Sequence, residues 1–136
     1  MKEFVTDANV ENLDSVLAFV TGELERADCP MKLMHQITLA VEELFVNIAR
    51  HAYAPETGSA VIRAAAVGDE VIIELEDNGT PCNLLEKPEP DITASAQERE
   101  LGGLGIFMVK KIMDSVAYAY KDGSNIVTMT KKIQGY

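Results

Sequence analysis

The sequence is short of several things, and each shortage excludes a class of function. Only two cysteines, Cys29 and Cys82, occur in 136 residues, too few for a disulfide framework or a metal cluster. They read as reduced thiols, which places the chain in the cytoplasm. Positive charge is scarce as well: 12 Lys and Arg stand against 22 Asp and Glu, for a net charge of −10. Sequence-independent nucleic-acid binding needs a positive surface that displaces counterions. No block of basic residues supplies one, and the pair Lys131-Lys132 is too small. Direct contact with nucleic acid is therefore not expected, whereas a basic protein partner is compatible with the acidic surface. Apolar runs are short: none approaches a membrane span, and Met1-Lys2-Glu3-Phe4 lacks the shape of a signal peptide. No internal repeat or low-complexity segment is visible. What remains is an ordinary globular composition, 47% hydrophobic and 25% charged, at a length that suits one domain over residues 1–136.

Apolar periodicity divides that domain into elements. Glu3-Phe4-Val5-Thr6 is a short edge strand. Asp7 or Asn9 caps a helix that runs to about Ala27 on Val10, Leu13, Val16, Leu17, Val20 and Leu24. Pro30 suits the first turn of a second helix. Its stripe of Leu33, Met34, Ile37, Val41, Leu44, Phe45 and Ile48 carries it to about Ala52. Residues 59–67 and 70–76 are strands joined at Gly68-Asp69. From Thr80 to Glu100 no period is found, and three prolines and several acids make a loop of about twenty residues, a length typical of functional lids. Proline-rich, acidic and poor in apolar anchors, it is expected to be mobile when empty. A helix then starts near Gly105, and strands at residues 116–120 and 125–131 are joined by Asp122-Gly123, a strong hairpin signal. The order β-α-α-β-β-loop-α-β-β predicts an α+β fold, a largely antiparallel sheet with helices on one face.

Three stretches carry chemistry. Glu43 and Asn47 lie four residues apart on the second helix, so they point the same way within roughly 40°. They sit at the margin of the apolar stripe, where a carboxylate and a carboxamide can meet one ligand. Glu42 falls about 100° away, toward the exposed side. Asp77-Asn78-Gly79 closes a strand, and its carboxylate suits an exocyclic amine such as N6 of adenine. Leu101-Gly102-Gly103-Leu104-Gly105-Ile106 opens a helix, where free N–H groups and the dipole favour phosphate and glycine lets backbone approach it. Asn47 can hold Mg²⁺ through its amide oxygen, and Glu43 can take a proton from a group attacking a terminal phosphate. Singly, each stretch is also a common accident: a solvated helix face, a turn Asp, a glycine cap. Neither a phosphate-loop nor a dinucleotide-fold glycine motif is present.

Taken together, in this order and spacing, these residues resemble the GHKL ATPase superfamily. Within it they are most similar to the bacterial anti-sigma factor serine/threonine kinases, through Ala40-Val41-Glu42-Glu43, Asn47, His51-Ala52-Tyr53, Asp77-Asn78-Gly79-Thr80-Pro81, Gly102-Gly103-Leu104-Gly105 and Lys111-Ile112-Met113-Asp114. The resemblance spans Phe4 to Ile133. It implies a two-layer α/β sandwich of the Bergerat ATP-binding type, with a mostly antiparallel mixed sheet and a lid over residues 80–104. It implies Glu43 as general base, Asn47 as Mg²⁺ ligand and Asp77 as the adenine contact, with Gly79 clearing space for the ring. Gly102, Gly103, Leu104 and Gly105 line the triphosphate in the same reading. Arg99 stands either for the arginine that some members direct at the γ-phosphate or partner, or for a solvated lid charge. His51 reads as a structural hydrogen-bonder, Met108, Met113 and Met129 as core filler, and Tyr118 and Tyr120 as packing residues.

The implied function is an ATP- and Mg²⁺-dependent kinase that phosphorylates a serine on a small antagonist protein and sequesters a sigma factor, many members being homodimers. Two other classes compete. One is a regulatory module that binds partners in a nucleotide-dependent way without significant kinase activity. The other is a catalytic domain severed from a histidine kinase, against which stands the lack of a preceding helical hairpin with a phosphorylatable His. Retention of both Glu43 and Asn47 favours the kinase.

Overall fold

A period of two is written into the strand Glu70–Asp77: Val71, Ile73, Leu75 and Asp77 are buried, while the residues between them are half-buried. That is the signature of a strand with one face on a core. The computed structural model, which describes residues 1–52, 58–83, 85 and 104–134, places it third in the chain. The elements are β1 (Lys2–Asp7), a 3₁₀ turn (Val10–Asn12), α1 (Leu13–Arg26), α2 (Met31–Asn47), a π turn (Ile48–Ala52), β2 (Ser59–Val67), β3 (Glu70–Asp77), α3 (Leu104–Ile112), β4 (Ser115–Lys121) and β5 (Ser124–Lys132). The strands form one sheet in the order β1-β2-β3-β5-β4. Every neighbouring pair is antiparallel, so the largely antiparallel sheet expected from the sequence has no parallel pairing among the described residues.

Register brings Ala60, Ile62 and Ala64 of β2 beside Asp77, Leu75 and Ile73 of β3, and these beside Asn125, Val127 and Met129 of β5. This face is sealed by the helices: Val16, Val20 and Leu24 of α1, Ile37, Val41, Leu44 and Phe45 of α2 and Val109 of α3 are all buried. At the sheet edge Phe4 stacks on Phe19 of α1 at a centroid distance of 5.5 Å. Burial of this apolar stripe, rather than helix propensity, holds α2 in place. On the opposite face Arg63 reaches Glu3 at 2.6 Å, Glu76 at 2.8 Å and Glu74 at 3.6 Å, tying β1, β2 and β3 side by side.

Turn chemistry follows residue type. Asp122 (φ 52°) and Gly123 (φ 81°) both occupy the left-handed region, as a two-residue hairpin turn that matches strand twist requires. Four local expectations change. Asp7 ends β1 opposite Ser59, and Asn9 alone is the cap, accepting from Glu11 N at 2.9 Å to start the 3₁₀ turn. The first helix proper therefore begins at Leu13. The second helix leaves α geometry after Asn47, and the remainder to Ala52 is the π turn. Tyr120 is about half exposed, at 49%, so it does not pack, whereas Tyr118 is packed against the core. Of the methionines read as filler, Met113 and Met129 are buried and Met108 is half-buried.

Candidate functional site

The site is assembled on α2, the open end of β3 and the first turn of α3. The apolar stripe of α2 is buried against the sheet, which turns Glu43 and Asn47 to the edge of the core, both half-buried. Glu42 is half-buried too, less exposed than helix phase alone predicts. Asn47 donates from Nδ2 to the backbone carbonyl of Glu43 at 2.7 Å. A carbonyl can only pair with the amide nitrogen, so the direction of the carboxamide is fixed. Oδ1 points the other way and has no partner among the described residues. It is an available hard oxygen donor at the point where α2 passes into the π turn, a backbone irregularity that often marks functional sites.

The Glu43 carboxylate lies against the backbone of α3. A Cβ placed on Gly105 would be 2.9 Å from Glu43 Cδ and nearer still to Oε2. Only glycine leaves room for a carboxylate there. Gly105 is in the first turn of α3, where unpaired N–H groups and the helix dipole favour negative charge. Lys110 and Lys111 complete the dipole at the other end, and Lys110 Nζ donates to Leu85 O at 2.7 Å. The helix start that the sequence marks as a phosphate position thus touches the proposed base. Gly102, Gly103 and Arg99, together with most of the expected lid, lie outside the described residues, as does the side chain of Leu104. So does the side chain of His51.

Asp77 is the third component and is buried, 6% exposed. Its Oδ1 accepts from Gly79 N at 2.9 Å, closing an Asx turn, and from Asn125 Nδ2 at 3.0 Å. Oδ2 accepts no hydrogen bond among the described residues. Asn125, which no motif marks, is 5% exposed and stands opposite Asp77 in the β3–β5 register. Its Oδ1 accepts from Cys82 N at 3.1 Å and from the Tyr118 hydroxyl at 2.5 Å. Desolvation raises the Tyr118 pKa above 10.0, keeping the hydroxyl a donor. Beside this pair, Ser124 Oγ donates to Asn78 Oδ1 at 2.6 Å. Tyr118, read from the sequence as packing, is therefore also part of a polar cluster. Asn125 is missed by sequence because the β3–β5 pairing is non-local and no motif announces it.

Together these groups can take a nucleotide: a buried carboxylate oxygen and a carboxamide oxygen, neither with a partner among the described residues, and a helix start trimmed of its Cβ. Among the described residues no cluster of three or more His, Cys, Asp or Glu side chains could hold a metal alone. A cation here would share Asn47 Oδ1 with phosphate and water oxygens, the manner in which Mg²⁺ is usually held. No helix among the described residues is long and apolar enough to cross a membrane.

Comparison with known proteins points the same way. The profile of the histidine kinase-like ATPase domain family matches residues 6–131. The chain is 29% identical over 119 residues to the serine-protein kinase RsbW of Listeria monocytogenes, covering 84% of this chain and 75% of that protein. To the anti-sigma F factor of Clostridium perfringens it is 30% identical over 128 residues, covering 93% and 91% respectively. Among solved structures, that of the RsbU and RsbW domains of Rv1364c from Mycobacterium tuberculosis matches with a TM-score of 0.68 at 19% identity, over 98% of this chain and 33% of that one. This chain thus spans a third of that longer chain, and the likeness is one of fold. The histidine kinase domain of a blue-light activated kinase from Erythrobacter litoralis gives a TM-score of 0.55 at 16% identity, over 89% and 61%.

Proposed function

Because the chain belongs to the histidine kinase-like ATPase family, and within it to the anti-sigma factor serine kinases, we propose that it transfers the terminal phosphoryl group of ATP to a serine of a small antagonist protein. In its alternative partnership it holds a sigma factor inactive. The reading includes a cytoplasmic homodimer that does not contact nucleic acid. Its support from relatives is their names, serine-protein kinase and anti-sigma factor; its support from this chain is the site.

The observation that carries it is the seat of the Glu43 carboxylate against Gly105, with the Oδ1 of Asn47, unpartnered among the described residues, one turn along α2. In this reading ATP lies between α2 and α3, with adenine at Asp77 and Gly79 and the phosphates at Gly102, Gly103, Leu104 and Gly105. Bound Mg²⁺ neutralises charge on the phosphate oxygens, and Asn47 is its protein ligand. Asp77 accepts the adenine amine at Oδ2. Glu43 takes the proton of the serine hydroxyl as its oxygen bonds to the γ-phosphorus and the bond to the β,γ-bridging oxygen breaks, releasing ADP. Arg99 is assigned to the γ-phosphate or the partner.

Replacing Glu43 by Gln tests this. The variant should still bind ATP, while phosphoryl transfer to a serine-bearing antagonist falls by about 10²- to 10⁴-fold, the usual effect of losing a positioned base. Unchanged transfer would remove Glu43 from the chemistry. Absence of transfer by the parent protein, with partner binding that depends on nucleotide, would favour a regulatory module instead of a kinase.

A further inference from the structure

We propose that Asn125 is the positioning residue of the nucleobase pocket: its one carboxamide both orients Asp77 for an adenine and anchors the chain leaving β3. The inference rests on the nucleotide reading above and deepens it, naming the element that sets base selectivity.

The orientation of the Asn125 side chain is determined by its neighbours. Cys82 N–H can only donate, so the atom facing it at 3.1 Å is the carbonyl oxygen. Thr80 O at 3.1 Å can only accept, so the atom facing it is the amide nitrogen. With that orientation fixed, the two amide hydrogens serve Asp77 Oδ1 at 3.0 Å and Thr80 O, with Gly79 O a longer contact at 3.4 Å. The Tyr118 hydroxyl, at 2.5 Å, completes the oxygen. Every polar group of a buried side chain is therefore used, and a rotation of the amide would place like against like at both ends.

Two consequences follow for a ligand. Oδ1 of Asp77 is occupied twice, by Gly79 N and by Asn125 Nδ2. Among the described residues that leaves Oδ2 as the acceptor on offer, on a carboxylate only 6% exposed. An amine at that point, as on C6 of adenine, supplies the missing donor; the C6 carbonyl of guanine would set oxygen against oxygen. Without Asn125 only the Gly79 N–H holds Oδ1, and the carboxylate is less firmly oriented. The second consequence is local. The same carboxamide grips the chain at Thr80 and Cys82, so residues 79–82 and the Asp77 carboxylate are held as one unit. Occupancy of the base pocket and the path of the chain beyond β3 are thereby linked.

The test compares ATP and GTP dissociation constants, by titration calorimetry with Mg²⁺, for the parent protein and for Asn125→Asp and Asn125→Ala. Hydrogen exchange of the Cys82 amide is followed without nucleotide. The parent is expected to favour ATP by at least about tenfold. In both variants ATP binding weakens by about 5- to 100-fold, the range for unpairing a buried polar group, and GTP binding changes little; Cys82 loses protection in Asn125→Ala, whereas in Asn125→Asp a side-chain oxygen still accepts from its N–H. A purely architectural Asn125 would weaken both nucleotides alike and leave their ratio intact, which overturns the proposal. If neither variant folds, Tyr118→Phe removes one partner of the carboxamide and should reduce the ATP preference in the same direction, with an unchanged ratio counting against the proposal. A parent protein that binds both nucleotides equally refutes base selection outright. A parent that binds neither refutes the nucleotide reading itself, and the selectivity inference with it.

Discussion

Gly105 is where a single carbon decides most. Its backbone is helical and carries no positive φ, so alanine is tolerated by the chain and even favoured by about 1 kcal/mol inside a helix. The obstacle is the tip of a flexible side chain, Glu43. Gly105→Ala is therefore expected to leave the melting temperature within a few degrees while phosphoryl transfer drops at least about tenfold, because the proposed base is pushed aside. Parallel melting and transfer assays check the dissociation of the two effects; equal losses in both would show a folding defect instead. The thiols make a second pair of opposites. Cys29 is buried and desolvation raises its pKa above 9.0, whereas Cys82 is exposed. An alkylating reagent should modify Cys82 first and Cys29 only on unfolding. Linkage gives the sign of the pH effect: a folded-state pKa above the ordinary value contributes stability that is present below pH 9.0 and lost as pH rises through the folded value. Alkaline denaturation midpoints should show this limb, and Cys29→Ala should flatten it. At this scale the positions of Glu43 and Asn47 at the edge of the core and of Asp77 at the end of its strand are legible, since helix phase and strand period suffice to place them. Asn125 and the hydroxyl role of Tyr118 were not, because their partners come from strands distant in sequence.

Among the elements, α2 has the most to hold. Phe45 is fully buried on its stripe, beside Leu44 and Val41. Phe45→Ala should cost about 3–5 kcal/mol of stability, read as a lowered denaturant midpoint at constant slope. A loss below about 1 kcal/mol would mean that α2 is not packed on the sheet as described. The β4–β5 turn offers a sharper backbone test. Gly123 has φ 81° with nothing within 4 Å of an added Cβ, so Gly123→Ala loses about 1–2 kcal/mol through conformation alone, without any steric contact. Helix and hairpin identities were readable because they depend on local periods and turn residues. The start of α1 and the end of α2 were not. Asn9 diverts the chain into a 3₁₀ turn by its own hydrogen bond. At the other end the Asn47 side chain bonds back to Glu43 O just before the π turn, which apolar spacing does not reveal.

For the whole molecule, the α+β architecture followed from the order of elements, but the sheet order did not. The last strand inserts between β3 and β4, a choice made by burial of Val127 and Met129 beside Leu75 and Ile73 rather than by any signal in the chain. That insertion carries Asn125 to Asp77 and so brings together the residues of the proposed base pocket. With a net charge of −10 and an acidic cluster around Arg63, the proposed function requires most of the nucleotide's charge to be met by backbone N–H groups and Mg²⁺. Nucleotide binding should accordingly depend strongly on the cation. The most direct test is a thermal shift series with ATP, ADP and GTP, each with and without Mg²⁺. Stabilisation by adenine nucleotides over GTP, deepened by Mg²⁺ and reaching about 2.7 kcal/mol at a hundredfold excess over the dissociation constant, is the predicted result. No shift with any nucleotide at millimolar concentration would contradict it, and would leave Glu43, Asn47 and Asp77 as parts of a fold that no longer holds ATP.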